Sequence, residues 1–199
     1  MEIPTILSER WTATAGTLLN SYQLMAYPDA VTRAGIHAEQ QYLVRRYQTV
    51  LPQQPTGIMI AQFMAREDME STLIRWMHRI ISAQQSFRVH MLGFGALSSG
   101  QIYLRIQEQQ PFQELATALQ VVDQYVRSYD CPPMKRYTHP CLPLTGKVSA
   151  AVWGALQTEY AARITDLSFE VKELLLMRRH HEQDVDRQVN VFHLQPAGY

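Results

Sequence analysis

The chain of 199 residues has few cysteines, no net charge and no long apolar run. Its two cysteines, Cys131 and Cys141, form no Cys-x-x-Cys pair and have no histidine at zinc-finger spacing, which argues against a disulfide framework and a structural zinc site. Eighteen basic residues balance 18 acidic ones, so no overall field attracts nucleic acid or an anionic membrane. We expect no metal, no cofactor and no membrane partner.

What the sequence does contain is an ordinary globular mixture, with 46% hydrophobic and 18% charged residues. The first residues carry no basic leader followed by an apolar run, and cysteine is sparse, so we predict a cytoplasmic protein. Residues 1–20 are interpreted as an N-terminal extension, either a short helix from Ser8 to Leu19 or an irregular surface segment. By length, residues 21–199 fit one domain or two small lobes that share a core.

Apolar periodicity divides the rest of the chain into strands and helices. Apolar runs and alternation predict strands over residues 22–26, 58–63, 87–94, 102–106, 142–144, 167–177 and 188–194. Helical spacing predicts helices over residues 29–47, 67–84, 112–129 and 148–164. The order strand, helix, two strands occurs twice, over residues 58–106 and 142–194. This order predicts an α+β fold in which antiparallel pairing dominates and the two halves share a cleft.

The segment from Tyr137 to Gly146 holds a histidine and a cysteine between a proline-containing turn and a helix. In a strand, His139 and Cys141 would share a face. His139 is either a functional group or a hydrogen-bonded residue at the rim of a site. Cys141 is either a nucleophile or a small buried residue.

The duplicated order and the wording of several strands resemble the 2′-5′ RNA ligase-like family of two-histidine phosphoesterases. The similar stretches are Ser86–Gly95 (SFRVHMLGFG), Gln101–Leu104 (QIYL) and Phe169–Leu176 (FEVKELLL). The resemblance implies that residues 21–199 form a single bilobal domain, with two mainly antiparallel sheets around a central cleft and helices outside. It also implies a strand reading Pro-His-φ-Thr/Ser-φ in each half, where φ is apolar. In the family, one histidine acts as general base and the other as general acid, without a metal, on 2′,3′-cyclic phosphates or 2′-5′ linkages.

Matched to this family, the chain lacks all four motif side chains. Gly57 and Met59 occupy the first histidine and hydroxyl positions, and Cys141 and Pro143 occupy the second pair. The general acid and base therefore do not carry over. Each such group contributes about 10²–10⁴-fold to a rate, so the resemblance predicts a degenerate active site.

Further candidates for ligand binding are His90 in the strand predicted over residues 87–94 and the groups Arg136, Tyr137 and Lys147 around the second motif. Basic groups beside an aromatic ring suit a phosphate or a nucleotide, although charges on loops are more often simply solvated. The first hypothesis is a non-catalytic protein that binds a nucleotide, an RNA end or another ligand in the old cleft. The alternative is a surviving phosphoesterase or ligase-like enzyme that uses His139 in an altered role, with or without His90.

Overall fold

A computed structural model of the chain describes residues 19–52, 56–96, 100–163, 165–181 and 184–197. Its strands are β1 Leu19–Ala26, β2 Ile58–Arg66, β3 Phe87–Ala96, β4 Ile102–Ile106, β5 Lys135–Arg136, β6 Cys141–Pro143, β7 Asp166–Val171, β8 Glu173–Arg179 and β9 Arg187–His193. Its α-helices are α1 Ala30–Tyr47, α2 Glu70–Ile81, α3 Gln110–Ala118, α4 Gln120–Arg127 and α5 Ala150–Ala162.

The first sheet has the strand order β5-β2-β1-β8-β9, and every pairing in it is antiparallel. One of its faces packs against α2. The Tyr22 hydroxyl donates a hydrogen bond to Glu70 of α2 at 3.0 Å, and Arg178 forms an ion pair with the same carboxylate at 2.8 Å. Because side chains alternate along a strand, the neighbours of Tyr22 point to the opposite face.

The second sheet has the order β6-β4-β3-β7, again antiparallel throughout. Its helices are α1 and α5. Phe94 of β3 packs edge-on against Tyr160 of α5, with ring centroids 4.6 Å apart, and the Thr32 hydroxyl of α1 donates to the Ser168 carbonyl of β7 at 2.9 Å. In each sheet, we call the face opposite these helix contacts the inner face.

The predicted α+β fold with two antiparallel sheets and flanking helices is confirmed. Two details of the prediction are wrong. Residues 167–177 are not one strand: β7 and β8 belong to different sheets, and Lys172 alone separates them. Residues 112–129 form two helices, α3 and α4, which meet at Leu119. The predicted helix from Ser8 lies almost entirely outside the described residues.

Candidate functional site

The two sheets approach each other where β2 and β6 are in contact. The segment Lys135–Pro143 joins them, because β5 pairs with β2 and β6 pairs with β4. Tyr137 attaches this segment to β2 by two hydrogen bonds. Its N–H donates to the Ile60 carbonyl at 2.9 Å, and its hydroxyl donates to Gln62 at 3.3 Å. Burial, and then the neighbouring Cys141, raise the pKa of Tyr137. The strands that carry the predicted motif positions therefore lie side by side at one cleft.

The first motif position is filled by its neighbours. Gly57 is buried, and a Cβ added to it would lie 3.0 Å from the ring of Tyr27 and 3.1 Å from the terminal methyl of Met25. Contacts this short force the neighbours to move. Any side chain at residue 57 therefore requires the Tyr27 ring and the Met25 methyl to shift by a few tenths of an ångström, and a histidine requires more.

Tyr27 is positioned by a side-chain hydrogen bond and by the capped start of α1 that follows it in the chain. Its hydroxyl donates to the sulfur of Met25 at 3.3 Å. Two residues later Asp29 caps α1, because its carboxylate accepts the Thr32 N–H at 2.8 Å. Burial, and then the Asp186 carboxylate, raise the pKa of Tyr27. At neutral pH the phenol is protonated and lacks the basicity of a general base.

Strand register gives the composition of the first sheet's inner face. One row across it is apolar: Met59, Met25, Leu175 and Val191 lie opposite one another on adjacent strands. The next row is mainly polar and consists of Lys135, Gln62, Gln23, Met177 and Gln188. Residues directly opposite in antiparallel strands share a face, so these two rows lie together at the cleft. Met59, at the first hydroxyl position, belongs to the apolar row.

The predicted second histidine position holds Cys141, whose thiol lies in surroundings that disfavour the reactive thiolate. Cys141 is half-buried on β6, directly opposite the exposed Arg105 of β4. Burial raises the pKa of the Cys141 thiol, so the thiolate that a nucleophile needs is scarce at neutral pH. Pro143 lies opposite Tyr103, whose ring covers Gly95 so closely that an added Cβ would lie 2.3 Å from the ring. The second sheet thus presents a cation and an aromatic ring around the two motif positions.

His139, the predicted catalytic residue, is exposed in the turn between β5 and β6. Its Nδ1 lies 3.0 Å from the hydroxyl of its neighbour Thr138. Its catalytic role stays a prediction.

His90 lies on the inner face of the second sheet, between the outward-facing Val89 and Met91. Glu108 holds it twice: one carboxylate oxygen accepts the backbone N–H at 2.7 Å and the other lies 2.5 Å from Nδ1. Burial acts to raise the pKa of Glu108, but the hydrogen bonds from His90 outweigh it and the pKa is lowered. His90 is therefore a positioned imidazole, on a strand next to β4 and not on a motif strand.

The remaining candidates lie in different directions. Tyr137 is at the cleft, and the Lys135 ammonium lies 5.2 Å from the centre of its ring. Arg136 lies opposite Ala61, hence on the helix-covered face of the first sheet. Lys147 is exposed in the connection to α5, next to Gly146, whose N–H donates to the Val50 carbonyl at 2.6 Å. The role of these residues in ligand binding stays a prediction. Of the three, Tyr137 lies nearest to the strands that carry the predicted motif positions.

Several solved structures have the same fold as this chain. The apo structure of Escherichia coli LigT superposes with a TM-score of 0.67 at 16% sequence identity, covering 90% of this chain and 99% of LigT. A protein of Thermus thermophilus gives a TM-score of 0.64 at 14% identity, covering 89% of this chain and 100% of that one. The chain has the LigT fold. A structure described as a phosphoesterase also matches, with a TM-score of 0.60 and 16% identity.

Sequence comparison finds less: no family model matches the chain, and no curated protein matches it. Structures of E. coli LigT include complexes with phosphate, 3′-AMP, NADP⁺ and ATP. At these identities the likeness to LigT shows the fold alone.

Within the LigT fold, the cleft residues that sequence reasoning missed include Tyr27, Gln23 and Arg105. Gln23 had a visible signal, because it is a polar residue inside the apolar run Tyr22–Ala26. Arg105 had a weaker one in the alternation of β4. Tyr27 had none, since only the tertiary structure brings its ring over Gly57.

Across the described ranges, no three His, Cys, Asp or Glu side chains converge as a metal site, and no helix has the length and hydropathy of a membrane span.

Proposed function

We propose that the protein binds a nucleotide or a phosphate-bearing RNA end in the cleft and does not hydrolyse it by acid–base catalysis. The observation that carries the proposal is the state of the two motif positions. Gly57 is covered by the Tyr27 ring, and Cys141 holds a thiol whose pKa is raised by burial. Neither supplies a group that exchanges protons near neutral pH.

The ligand class is supported by the charges and rings around the cleft. Arg105 and Arg88 are exposed on the inner face of the second sheet, where guanidinium groups suit phosphate oxygens. Lys135 and Tyr137 lie at the crossing between the sheets and offer a cation beside a ring on which a base can stack. The nucleotide complexes of LigT support the same class of ligand.

The proposal is tested by measuring binding and turnover on the same samples. Titration calorimetry with 3′-AMP is expected to show saturable binding. Incubation with 2′,3′-cyclic AMP, followed by ³¹P NMR, is expected to show no ring opening. Arg105→Ala should weaken binding about tenfold, because it removes one charge-assisted contact to phosphate. Arg75→Ala, an exposed arginine of α2 on the helix side of the first sheet, is the matched control and should bind as the parent does.

Two results would overturn the proposal. Failure of the parent protein to bind nucleotides and inorganic phosphate would remove the ligand class. Ring opening that His139→Ala abolishes would instead establish the alternative, a surviving phosphoesterase with His139 in an altered role.

A further inference from the structure

A buried amide on the inner face of the first sheet lacks a partner. Gln23 is only 4% exposed, and its Oε1 accepts no hydrogen bond from any described residue. Buried polar side-chain atoms are mostly hydrogen-bonded, because a lost bond to water otherwise goes uncompensated. An unsatisfied acceptor in the middle of a central strand therefore marks a place where a donor from outside the chain would be stabilised.

The position of Gln23 relates it to the cleft. It lies directly opposite Gln62 on β2 and Met177 on β8, whereas its neighbour Tyr22 faces α2. Gln62 is oriented by Tyr137, whose hydroxyl donates to Gln62 Oε1 at 3.3 Å. This bond engages the carbonyl of Gln62 and leaves its amino group as the donor. Two adjacent strands thus offer an acceptor, on Gln23, beside a donor, on Gln62.

We propose that Gln23 and Gln62 recognise the hydrogen-bonding edge of a nucleobase, an inference that rests on the nucleotide-binding function proposed above. A base edge carries an N–H donor next to an oxygen or nitrogen acceptor, which complements the acceptor and donor of the two amides. The flat faces of a base need apolar or aromatic contacts. Tyr137 offers a ring beside Gln62, and Met25 and Met59 form the row next to the two glutamines. A free phosphate or a sugar offers no such edge.

The experiment compares ligands with and without a base. Calorimetric titrations use 3′-AMP, 3′-CMP, 3′-GMP and 3′-UMP against ribose 5-phosphate and inorganic phosphate. At least one nucleotide is expected to bind about tenfold more tightly than ribose 5-phosphate, the margin that a good pair of base contacts gives. Gln23→Met, which keeps the length of the side chain, should abolish this margin and leave the affinity for ribose 5-phosphate unchanged.

The same variant gives a second readout that separates recognition from a structural role. Because Gln23→Met removes an unsatisfied buried acceptor, the melting temperature of the free protein should rise. Gln62→Met should also reduce the margin between nucleotide and ribose 5-phosphate. Gln188→Met is the matched control: Gln188 belongs to the same row but is exposed on β9, so neither affinity nor melting temperature should change.

The outcomes are distinct. If ribose 5-phosphate binds as tightly as every nucleotide, base recognition is wrong while binding through phosphate stands. If Gln23→Met lowers the melting temperature and keeps the nucleotide margin, Gln23 is structural and the inference is wrong. If the parent protein binds none of the ligands, the proposed function fails and this inference fails with it.

Discussion

The inner faces of the two sheets differ in composition, although the order of strands and helices in the chain is duplicated. The first face is closed and neutral around its motif position: Tyr27 covers Gly57, and the adjoining row is made of methionine, leucine and valine. The second is more open and carries charge, with Arg105 exposed opposite Cys141. The predicted motif position is therefore closely packed in the first half and more open in the second.

The comparison predicts that histidine is costly at the first position and tolerated at the second. Gly57→His should lower the free energy of unfolding by about 1–3 kcal/mol, because the new side chain must displace Tyr27 and Met25. Urea denaturation measures the change. Cys141→His, on the three-residue edge strand β6, should cost less than about 1 kcal/mol. Equal costs at the two positions would remove the difference between the faces.

On the more polar second face, we expect the ion pair between His90 and Glu108 to contribute to the stability of the fold. Glu108→Gln should lower the free energy of unfolding by about 0.5–1 kcal/mol after allowance for solvent screening. The pKa of Glu108 is lowered in the folded state, so its contribution is present above the ordinary value of 4.5 and is lost as pH falls through the lower folded value.

Chemical denaturation of Glu108→Gln and the parent between pH 3 and 7 tests that expectation. The difference between them should shrink as the pH is lowered. Glu114→Gln, at an exposed glutamate of α3, is the control and should show a smaller effect at every pH. A Glu108→Gln protein as stable as the parent at pH 7 would mean that the pair does not stabilise the second face.

At the first position, the covering by Tyr27 should depend on its ring more than on its hydroxyl. Tyr27→Phe removes only a hydrogen bond to sulfur, a weak acceptor, and should change the free energy of unfolding by about 0.5 kcal/mol or less. Tyr27→Ala leaves the space over Gly57 empty and should cost several times more. If both variants lose the same stability, the hydroxyl and not the packed ring holds the first position.

The last prediction concerns the reactivity of the Cys141 thiol and needs no substitution. Because burial raises the pKa of Cys141, the thiol should react with iodoacetamide at pH 7 about tenfold more slowly in the folded protein than in the unfolded one. The rate should continue to rise above pH 9, as deprotonation begins. Peptide mass spectrometry follows Cys141 separately from the buried Cys131, whose pKa is also raised. Rapid modification of Cys141 at pH 7 would show an activated thiol and a second site closer to catalysis than proposed.

Local pattern was sufficient for most elements of this fold. The run Ile58–Phe63 and the alternation over residues 87–94 and 102–106 each match a strand, because side-chain periodicity depends only on near neighbours. The alternating stretch at 167–177 was misleading for the same reason. Both β7 and β8 alternate, and only pairing with β3 and β1 assigns them to different sheets.

The sequence by itself predicted the α+β order and the dominance of antiparallel pairing, because the periodicity of apolar side chains depends on near neighbours. The match of Gly57, Met59, Cys141 and Pro143 to the four motif positions stays a prediction. The tertiary structure alone decided what surrounds those residues. It brought Tyr27 over Gly57, directed Arg136 away from the cleft and Lys135 towards it, and buried the Gln23 carbonyl oxygen without a donor among the described residues. Such contacts join segments far apart in the chain, and strand register, which sets them, is fixed by packing across the whole sheet.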